Sequence, residues 1–206
     1  QGDGFSGKTT YTAKLHHLST ALQQQVKDVL PEGVDMNCVD IWFQDESRVG
    51  QQGSITRVWH ITGQRPRLLR QQQFEYAYIY GAICPATGDS VGLVLPAANS
   101  DGMKLHIDEI SQQVKKERHA VLVVDGARWH QEHMSRDNVS VLKLPPYSPE
   151  LNPVEQVWQW LKQHYLSNRC FKNYNEIVEA CCEAWNKFSE QPELIKSIGT
   201  RKWTSC

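Results

Sequence analysis

The stretch LPPYSPELNPVEQVWQWL, residues 144–161, joins the end of an apolar run to the start of a helix. Its prolines push the residues before them out of helical backbone and so end the preceding strand. Asn152 and Pro153 are residue types favoured at the cap and at the first position of a helix, which puts Glu155 at the third position. Behind them, apolar residues recur at helical spacing, at Val154, Val157, Trp158, Leu161 and Tyr165.

Glu155 has two interpretations at this helix start. It lies about 100° around the helix from the centre of the apolar face, at the rim, where a carboxylate can face a cleft. Alternatively, its side chain returns to the backbone N–H of Asn152 as half of a capping box. Further carboxylates converging on Glu155 would favour the first interpretation.

The composition is that of an ordinary globular protein. The chain has 206 residues, of which 40% are hydrophobic and 22% charged, with a net charge of −1. That charge gives no global signature of nucleic-acid binding. No apolar run reaches the roughly 18 residues of a membrane span, and no signal peptide opens the chain, so we expect a cytoplasmic protein with no membrane partner. The six cysteines lack the C-x-x-C spacing of a zinc site, and we expect reduced, mostly buried thiols.

The pattern along the chain predicts one α/β domain after a polar amphipathic helix. Four strand-like runs at hairpin-like separations indicate an antiparallel meander. A helix, a continuously apolar strand, another strand and two helices follow, which is typical of a mixed sheet with helices on its faces. In order, these elements are a helix over 10–30, strands over 38–44, 56–61, 76–84 and 90–95, a helix over 100–117, strands over 119–124 and 139–144, and helices from 152 and over 175–188.

Two aspartates follow strands and would join Glu155 if those strands are neighbours. Asp45 comes after the first strand and Asp125 after the continuously apolar one. Three clustered carboxylates repel one another unless a cation compensates, and hard oxygen ligands suit Mg²⁺ or Mn²⁺. Either aspartate alone could instead form a turn or cap a helix. Glu46 competes with Asp45, because alternation along a strand points one side chain inward and the other outward; Asp40 ranks lower.

Three blocks of the sequence carry a family resemblance. DIWFQDESRVG (40–50), VLVVDGARWH (121–130) and LPPYSPELNPVEQVW (144–158) resemble the catalytic blocks of IS630-type transposases in the Tc1/mariner superfamily. The resemblance implies an RNase H-like fold over residues 37–206, preceded in residues 1–36 by a helical linker or the remnant of an upstream region. It identifies Asp45, Asp125 and Glu155 with the DDE triad, which would bind two divalent ions, Mg²⁺ or Mn²⁺.

The resemblance also implies partners and a place of action. The DNA partner would be double-stranded, both transposon ends and target, and the enzyme would assemble on it as a homodimer. It would work in the cytoplasm at the nucleoid of a bacterium.

Three further residues are expected to support the triad. His130 stands where the family has D-x4-H and could orient Asp125 or contact phosphate, although a partly buried structural histidine is equally compatible with the sequence. Glu46 lies next to the first aspartate, and Asn152 fixes where the last helix begins. A zinc site on His130 and His133 lacks further ligands at useful spacing.

Basic and aromatic residues form the candidate DNA-binding set. Arginines suit phosphate contacts and an exposed aromatic ring suits stacking on an unpaired base. A solvated loop face would explain the arginines equally well. The set comprises Arg48, Arg57, Arg65, Arg67, Arg70 and Tyr147, while Trp129 is a weaker stacking candidate and Trp158 is expected in the core.

The leading hypothesis is therefore a DDE transposase catalytic domain that cleaves DNA at transposon ends and transfers the strands into target DNA. Two alternatives stay open. GDGFSGKT, from Gly2 to Thr9, matches the P-loop pattern of an NTPase. The chain could also be a non-catalytic DNA-binding module of RNase H-like shape.

Overall fold

The computed structural model describes residues 22–52, 74–127, 130, 134–144 and 152–199. A five-stranded mixed sheet runs through them in the order β3-β2-β1-β4-β5. β1 pairs antiparallel with β2, and β2 antiparallel with β3, whereas β1–β4 and β4–β5 are parallel. The strands are β1 (Val39–Gly50), β2 (Tyr76–Cys84), β3 (Asp89–Leu95), β4 (His119–Val124) and β5 (Val139–Lys143).

Helices cover both faces of the sheet, as predicted. α2 packs with the even-numbered side chains of β1, such as Trp42, whereas α3 and α4 pack with odd-numbered ones, such as Phe43. Strands covered on both faces read as continuous apolar runs, which explains the pattern of β4. The described helices are α1 (22–29), a 3₁₀ turn (Met36–Cys38), α2 (Ser100–Gln113), α3 (Val154–Leu161), continued by a π-helical turn (Lys162–Leu166), α4 (Tyr174–Ser189) and α5 (Pro192–Gly199).

β1 is longer than the sequence predicts, so Asp45 lies within the strand and not after it. The parallel pairing with β4 ends at Phe43↔Val123, but the antiparallel pairing with β2 continues to Gly50↔Tyr76. β2 therefore keeps the polar half of β1 extended. Asp45 still follows the end of the parallel pairing.

α5 was not expected, because its eight residues offer only two turns of pattern. Ile195 is nonetheless fully buried on its inner side. α1 contributes Leu22 and Val26 to the same buried cluster as Ile41. The P-loop-like segment Gly2–Thr9, the start of the first predicted helix and the predicted strand Thr56–Ile61 lie outside the described residues, and the domain boundary at residue 36 stays a prediction.

The described cysteines are free thiols, but they are not mostly buried. Cys84 and Cys181 are buried, whereas Cys170 and Cys182 are exposed. Cys182 follows Cys181 on α4 and so points about 100° away from the core. Within the described residues, no helix is long and apolar enough to cross a membrane.

Asp40 has a structural partner at the opposite end of β1 from Asp45. Nε and Nη2 of Arg118 each lie 2.5 Å from a carboxylate oxygen of Asp40, and Nη2 also donates to the carbonyl of Val39 at 3.2 Å. Because only 10% of the Asp40 side chain is exposed, this ion pair ties the start of β4 to β1. It explains why an acid stands in a buried strand.

We expect Arg118→Met to lower the free energy of unfolding by about 2 kcal/mol, since it leaves the buried Asp40 without its charged donor. Urea denaturation checks this. Arg136→Met is the matched control, because its partner Asp108 at 2.6 Å is 48% exposed and such pairs contribute about 1 kcal/mol or less. Equal losses for the two variants would contradict the prediction.

A second test concerns His106 of α2, which is fully buried and donates from Nε2 to the carbonyl of Val91 at 3.2 Å. Burial lowers its pKa from 6.5 to about 4. A histidine whose folded pKa is depressed binds fewer protons than the unfolded chain, so stability is lost as pH falls from about 6.5 to about 4. We expect the parent to lose about 3 kcal/mol more than His106→Leu between pH 7 and pH 4 in urea titrations. Parallel pH profiles would refute this.

Candidate active site

The pairing of β1 with β4 sets Asp45 and Asp125 side by side. The two parallel strands pair through Phe43↔Val123; Asp45 lies two residues further along β1, and Asp125 lies two residues further along the chain, directly after β4. The two residues therefore follow the parallel pairing at its carboxyl edge, where α/β sheets place ligands. Asp45 is partly buried, whereas 53% of the Asp125 side chain is exposed. Asp45 is therefore the less accessible of the two carboxylates, and Asp125 faces solvent.

The surroundings of Asp45 disfavour its negative charge. Burial raises the pKa of Asp45 to about 7, repulsion by Glu46 and Glu155 adds to the effect, and a hydrogen bond from Trp158 opposes it. The first and third members of the predicted triad thus feel each other's charge. Among the described residues, however, no group of three Asp, Glu, His or Cys side chains is arranged so that it could hold a metal ion.

Asp125 is held by His130 and by its own turn. His130 Nδ1 lies 2.8 Å from its Oδ1, and the backbone N–H of Ala127 donates to the same oxygen at 2.9 Å. The other ring nitrogen of His130 lies 3.0 Å from Glu46 Oε1. Burial alone would lower the pKa of His130, but its hydrogen bonds to Asp125 and Glu46 outweigh burial and raise it to about 9. An imidazolium therefore bridges the loop after β4 to β1 and holds the pKa of Asp125 low.

Glu46 and Asp45 point to opposite faces of β1, as strand alternation requires. The Glu46 carboxylate is almost wholly buried, and besides His130 it accepts from Nε2 of Gln44 at 2.9 Å. Asp45 instead faces α3. Glu46 therefore reaches the site through His130.

Asn152 fastens the start of α3 to β1. Its Nδ2 donates to the carbonyl of Gln44 at 2.9 Å, and its Oδ1 accepts from the N–H of Val154 at 3.1 Å. The helix begins at Val154, one residue later than predicted, because Pro153 at φ −67°, ψ −16° takes the cap position. Glu155 is exposed and its side chain makes no hydrogen bond within the described residues, so it does not close a capping box there.

Trp158 is in the core, as predicted, but it also contacts the site. Its Nε1–H donates to Asp45 Oδ2 at 2.8 Å, although only 3% of the residue is exposed. Sequence reasoning missed this contact. The available signal was that a buried indole needs an acceptor and that Trp158 lies three residues after Glu155 on the same side of the helix.

Most of the predicted DNA-binding set lies outside the described residues. Arg48 is described and exposed, with its guanidinium carbon 5.2 Å from the centre of the Tyr76 ring. Arg57, Arg65, Arg67, Arg70 and Tyr147 lie outside the described part of the chain, as do Trp129 and His133.

Comparisons with known proteins agree on one family. A family model described as DDE superfamily endonuclease matches residues 40–178. The uncharacterized protein y4pE/y4sA of Sinorhizobium fredii (strain NBRC 101917 / NGR234) is 50% identical over 130 residues, which are 62% of this chain and 96% of that protein. The insertion element IS630 uncharacterized 39 kDa protein of Shigella sonnei is 31% identical, over 62% of this chain and 39% of that protein.

Solved structures confirm the predicted RNase H-like fold. The Mos1 strand transfer complex gives a TM-score of 0.53 at 16% identity and covers 91% of this chain and 61% of its own. The Mos1 mariner paired end complex with Mn gives 0.54 at 15% identity, covering 91% and 62%. The chain thus spans about three fifths of the Mos1 transposase chain and two fifths of the IS630 protein.

The packing of Trp158 against Gly81 gives a testable prediction. Gly81 pairs with Asp45 across β1–β2, and a Cβ at Gly81 would lie 2.5 Å from the Trp158 ring and 2.6 Å from the Trp185 ring. We expect Gly81→Ala to lower the free energy of unfolding by about 2 kcal/mol through overpacking. Gly126→Ala is the matched control, since nothing lies within 4 Å of its Cβ position, and it should change stability by about 0.5 kcal/mol or less. Equal urea midpoints would contradict the packing argument.

Proposed function

Because this chain belongs to the DDE superfamily endonucleases, we propose that it is the catalytic domain of a DNA transposase. It would cleave DNA at transposon ends and transfer the strands into target DNA by metal-dependent phosphoryl transfer. The observation that supports the proposal is the parallel pairing of β1 with β4, which ends two residues before Asp45 and Asp125, together with the bond from Asn152 that ties the start of α3, the helix of Glu155, to β1.

The carboxylates fit a divalent cation by their chemistry. Burial and, to a lesser degree, repulsion by two further carboxylates raise the pKa of Asp45, and a bound cation would relieve that repulsion. The three carboxylates are not arranged as a preformed metal site among the described residues; by the chemistry of their oxygen atoms, Asp45, Asp125 and Glu155 would hold Mg²⁺ or Mn²⁺, two ions in all. Mos1 complexes with Mn and with Mg support this choice of ions. When bound, such ions neutralise charge on the phosphodiester and activate the attacking oxygen.

The residues of this chain divide the remaining work. The partly buried Asp45 lies at the base of the proposed site, and the exposed Asp125 would face the DNA. His130 and Glu46 hold Asp125 in place, and Asn152 sets the start of α3 and thus the place of Glu155. Water would attack phosphorus in line at the transposon end and break the P–O3′ bond, which leaves a 3′-OH and a 5′-phosphate. That 3′-OH would then attack a target phosphodiester in line and displace its 3′ oxygen, so the protein needs no covalent intermediate.

Double-stranded DNA, both transposon ends and target, is the proposed partner, contacted through Arg48, Arg57, Arg65, Arg67, Arg70 and Tyr147. We propose assembly as a homodimer on that DNA; the similar Mos1 transposase is described in a paired-end complex with a transposon end. Action on bacterial DNA would take place in the cytoplasm at the nucleoid. Gly2–Thr9, on which the NTPase alternative rests, lies outside the family match, and no contact among the described residues favours either alternative.

The test is a plasmid-nicking assay with Mn²⁺, extended to strand transfer on DNA that carries the element's ends. We expect Asp125→Asn and Glu155→Gln each to reduce cleavage by at least about 100-fold, because metal-assisted charge stabilisation contributes several kcal/mol to the barrier.

Matched controls make the same chemical change on exposed carboxylates away from the site. Asp89→Asn at the start of β3 and Glu183→Gln on α4 should cut like the parent. If Asp125→Asn and Glu155→Gln also cut like the parent, the catalytic assignment is wrong.

A further inference from the structure

Two hydrogen bonds bracket Glu155, one just before α3 and one within it. Asn152, three residues before Glu155, donates to the carbonyl of Gln44, and Trp158, three residues after it, donates to the carboxylate of Asp45. The two acceptors are consecutive residues of β1. Asn152 precedes the helix cap and so ties the start of α3 to β1, whereas Trp158 lies on the same side of α3 as Glu155. A shift of the start of α3 would break the first bond, and a rotation that carried Trp158 away from β1 would break the second.

The Trp158 ring packs directly on the backbone of the sheet. Gly81 stands opposite Asp45 on β2, and Gly92 stands opposite Gly81 on β3. Trp158 and Trp185 lie over these two glycines, with their ring centres 5.9 Å apart. Since no side chain separates the rings from the sheet, the indole N–H of Trp158 is brought within 2.8 Å of a carboxylate in the strand below.

A carboxylate can accept about four hydrogen bonds, so the bond from Trp158 leaves Asp45 capacity for a cation. The bond restricts rotation of the Asp45 carboxylate. A buried indole could have used a backbone carbonyl instead. Because the acceptor is Asp45, this hydrogen bond links α3, the helix that bears Glu155, to the orientation of the Asp45 carboxylate.

We propose that Trp158 is a positioning residue of the metal site. Its indole N–H fixes the Asp45 carboxylate and, together with Asn152, holds Glu155 at the height where the two share a divalent cation. This inference rests on the proposed function. It assigns Trp158 no contact with DNA or with the reacting atoms.

The test compares Trp158→Phe with Trp185→Phe. Each change keeps an aromatic ring over the two glycines, but only Trp158→Phe removes a hydrogen-bond donor to Asp45. Both proteins are titrated with Mn²⁺ in the absence of DNA, with the rise in melting temperature as readout. We expect Trp158→Phe to raise the half-saturating Mn²⁺ concentration about tenfold, as loss of an outer partner of a metal ligand does, and Trp185→Phe to leave it close to that of the parent.

A second readout does not require Trp158→Phe to fold. In protein labelled with ¹⁵N-tryptophan, the indole resonance of Trp158 is identified as the one that moves in Asp45→Asn. We expect Mn²⁺ to broaden this resonance in the parent at lower concentration than that of Trp160, which stacks on His164 on the same helix.

The outcomes distinguish a failure of the role of Trp158 from a failure of the proposed function. Two results would overturn the role of Trp158 and leave the proposed function standing. One is an equal Mn²⁺ midpoint for the two phenylalanine variants. The other is a Trp158 resonance that Mn²⁺ leaves unchanged although Mn²⁺ stabilises the parent. A loss of metal-free stability alone, with the Mn²⁺ midpoint unchanged, would mean that Trp158 is only core. A parent that Mn²⁺ does not stabilise would overturn both.

Discussion

The parallel pairing of β1 with β4 is the constraint on which the site depends. Its register, Phe43↔Val123, sets Asp45 and Asp125 at one level, and a slip of one residue would turn one of them to the other face of the sheet. The ion pair of Asp40 with Arg118, the residue that precedes β4, joins the beginnings of the two strands. A slip would also disrupt the packing of the buried apolar side chains on both faces of the sheet.

The two aspartates are held in opposite electrostatic states. Burial and neighbouring carboxylates raise the pKa of Asp45, whereas the His130 imidazolium lowers that of Asp125. The edge of the sheet therefore carries one carboxylate that resists ionisation and one that favours it. A bound divalent cation would favour ionisation of Asp45, because its charge would offset that of the neighbouring carboxylates.

The sequence predicted the parts of the fold whose pattern is local. β2 and β4 were predicted to the residue, because a turn or a continuous apolar run bounds each of them. The length of β1 was not, since its polar half stays extended only through pairing with β2. The triad of Asp45, Asp125 and Glu155 followed from the predicted ends of elements and a family resemblance, and it stays a prediction. The bond from Trp158 to Asp45 did not, because the sequence does not say that α3 crosses above β1 at a pair of glycines.

The residues at Gly81, Gly92, Trp158 and Trp185 depend on one another for packing. A side chain at Gly81 or Gly92 would occupy the space of an indole, and a smaller residue at Trp158 or Trp185 would leave a void over bare backbone. Single changes at any of the four are therefore costly in either direction. Descendants of this chain should either keep all four residues or exchange them jointly, so that the pairing is visible as correlated substitution wherever lineages diverge.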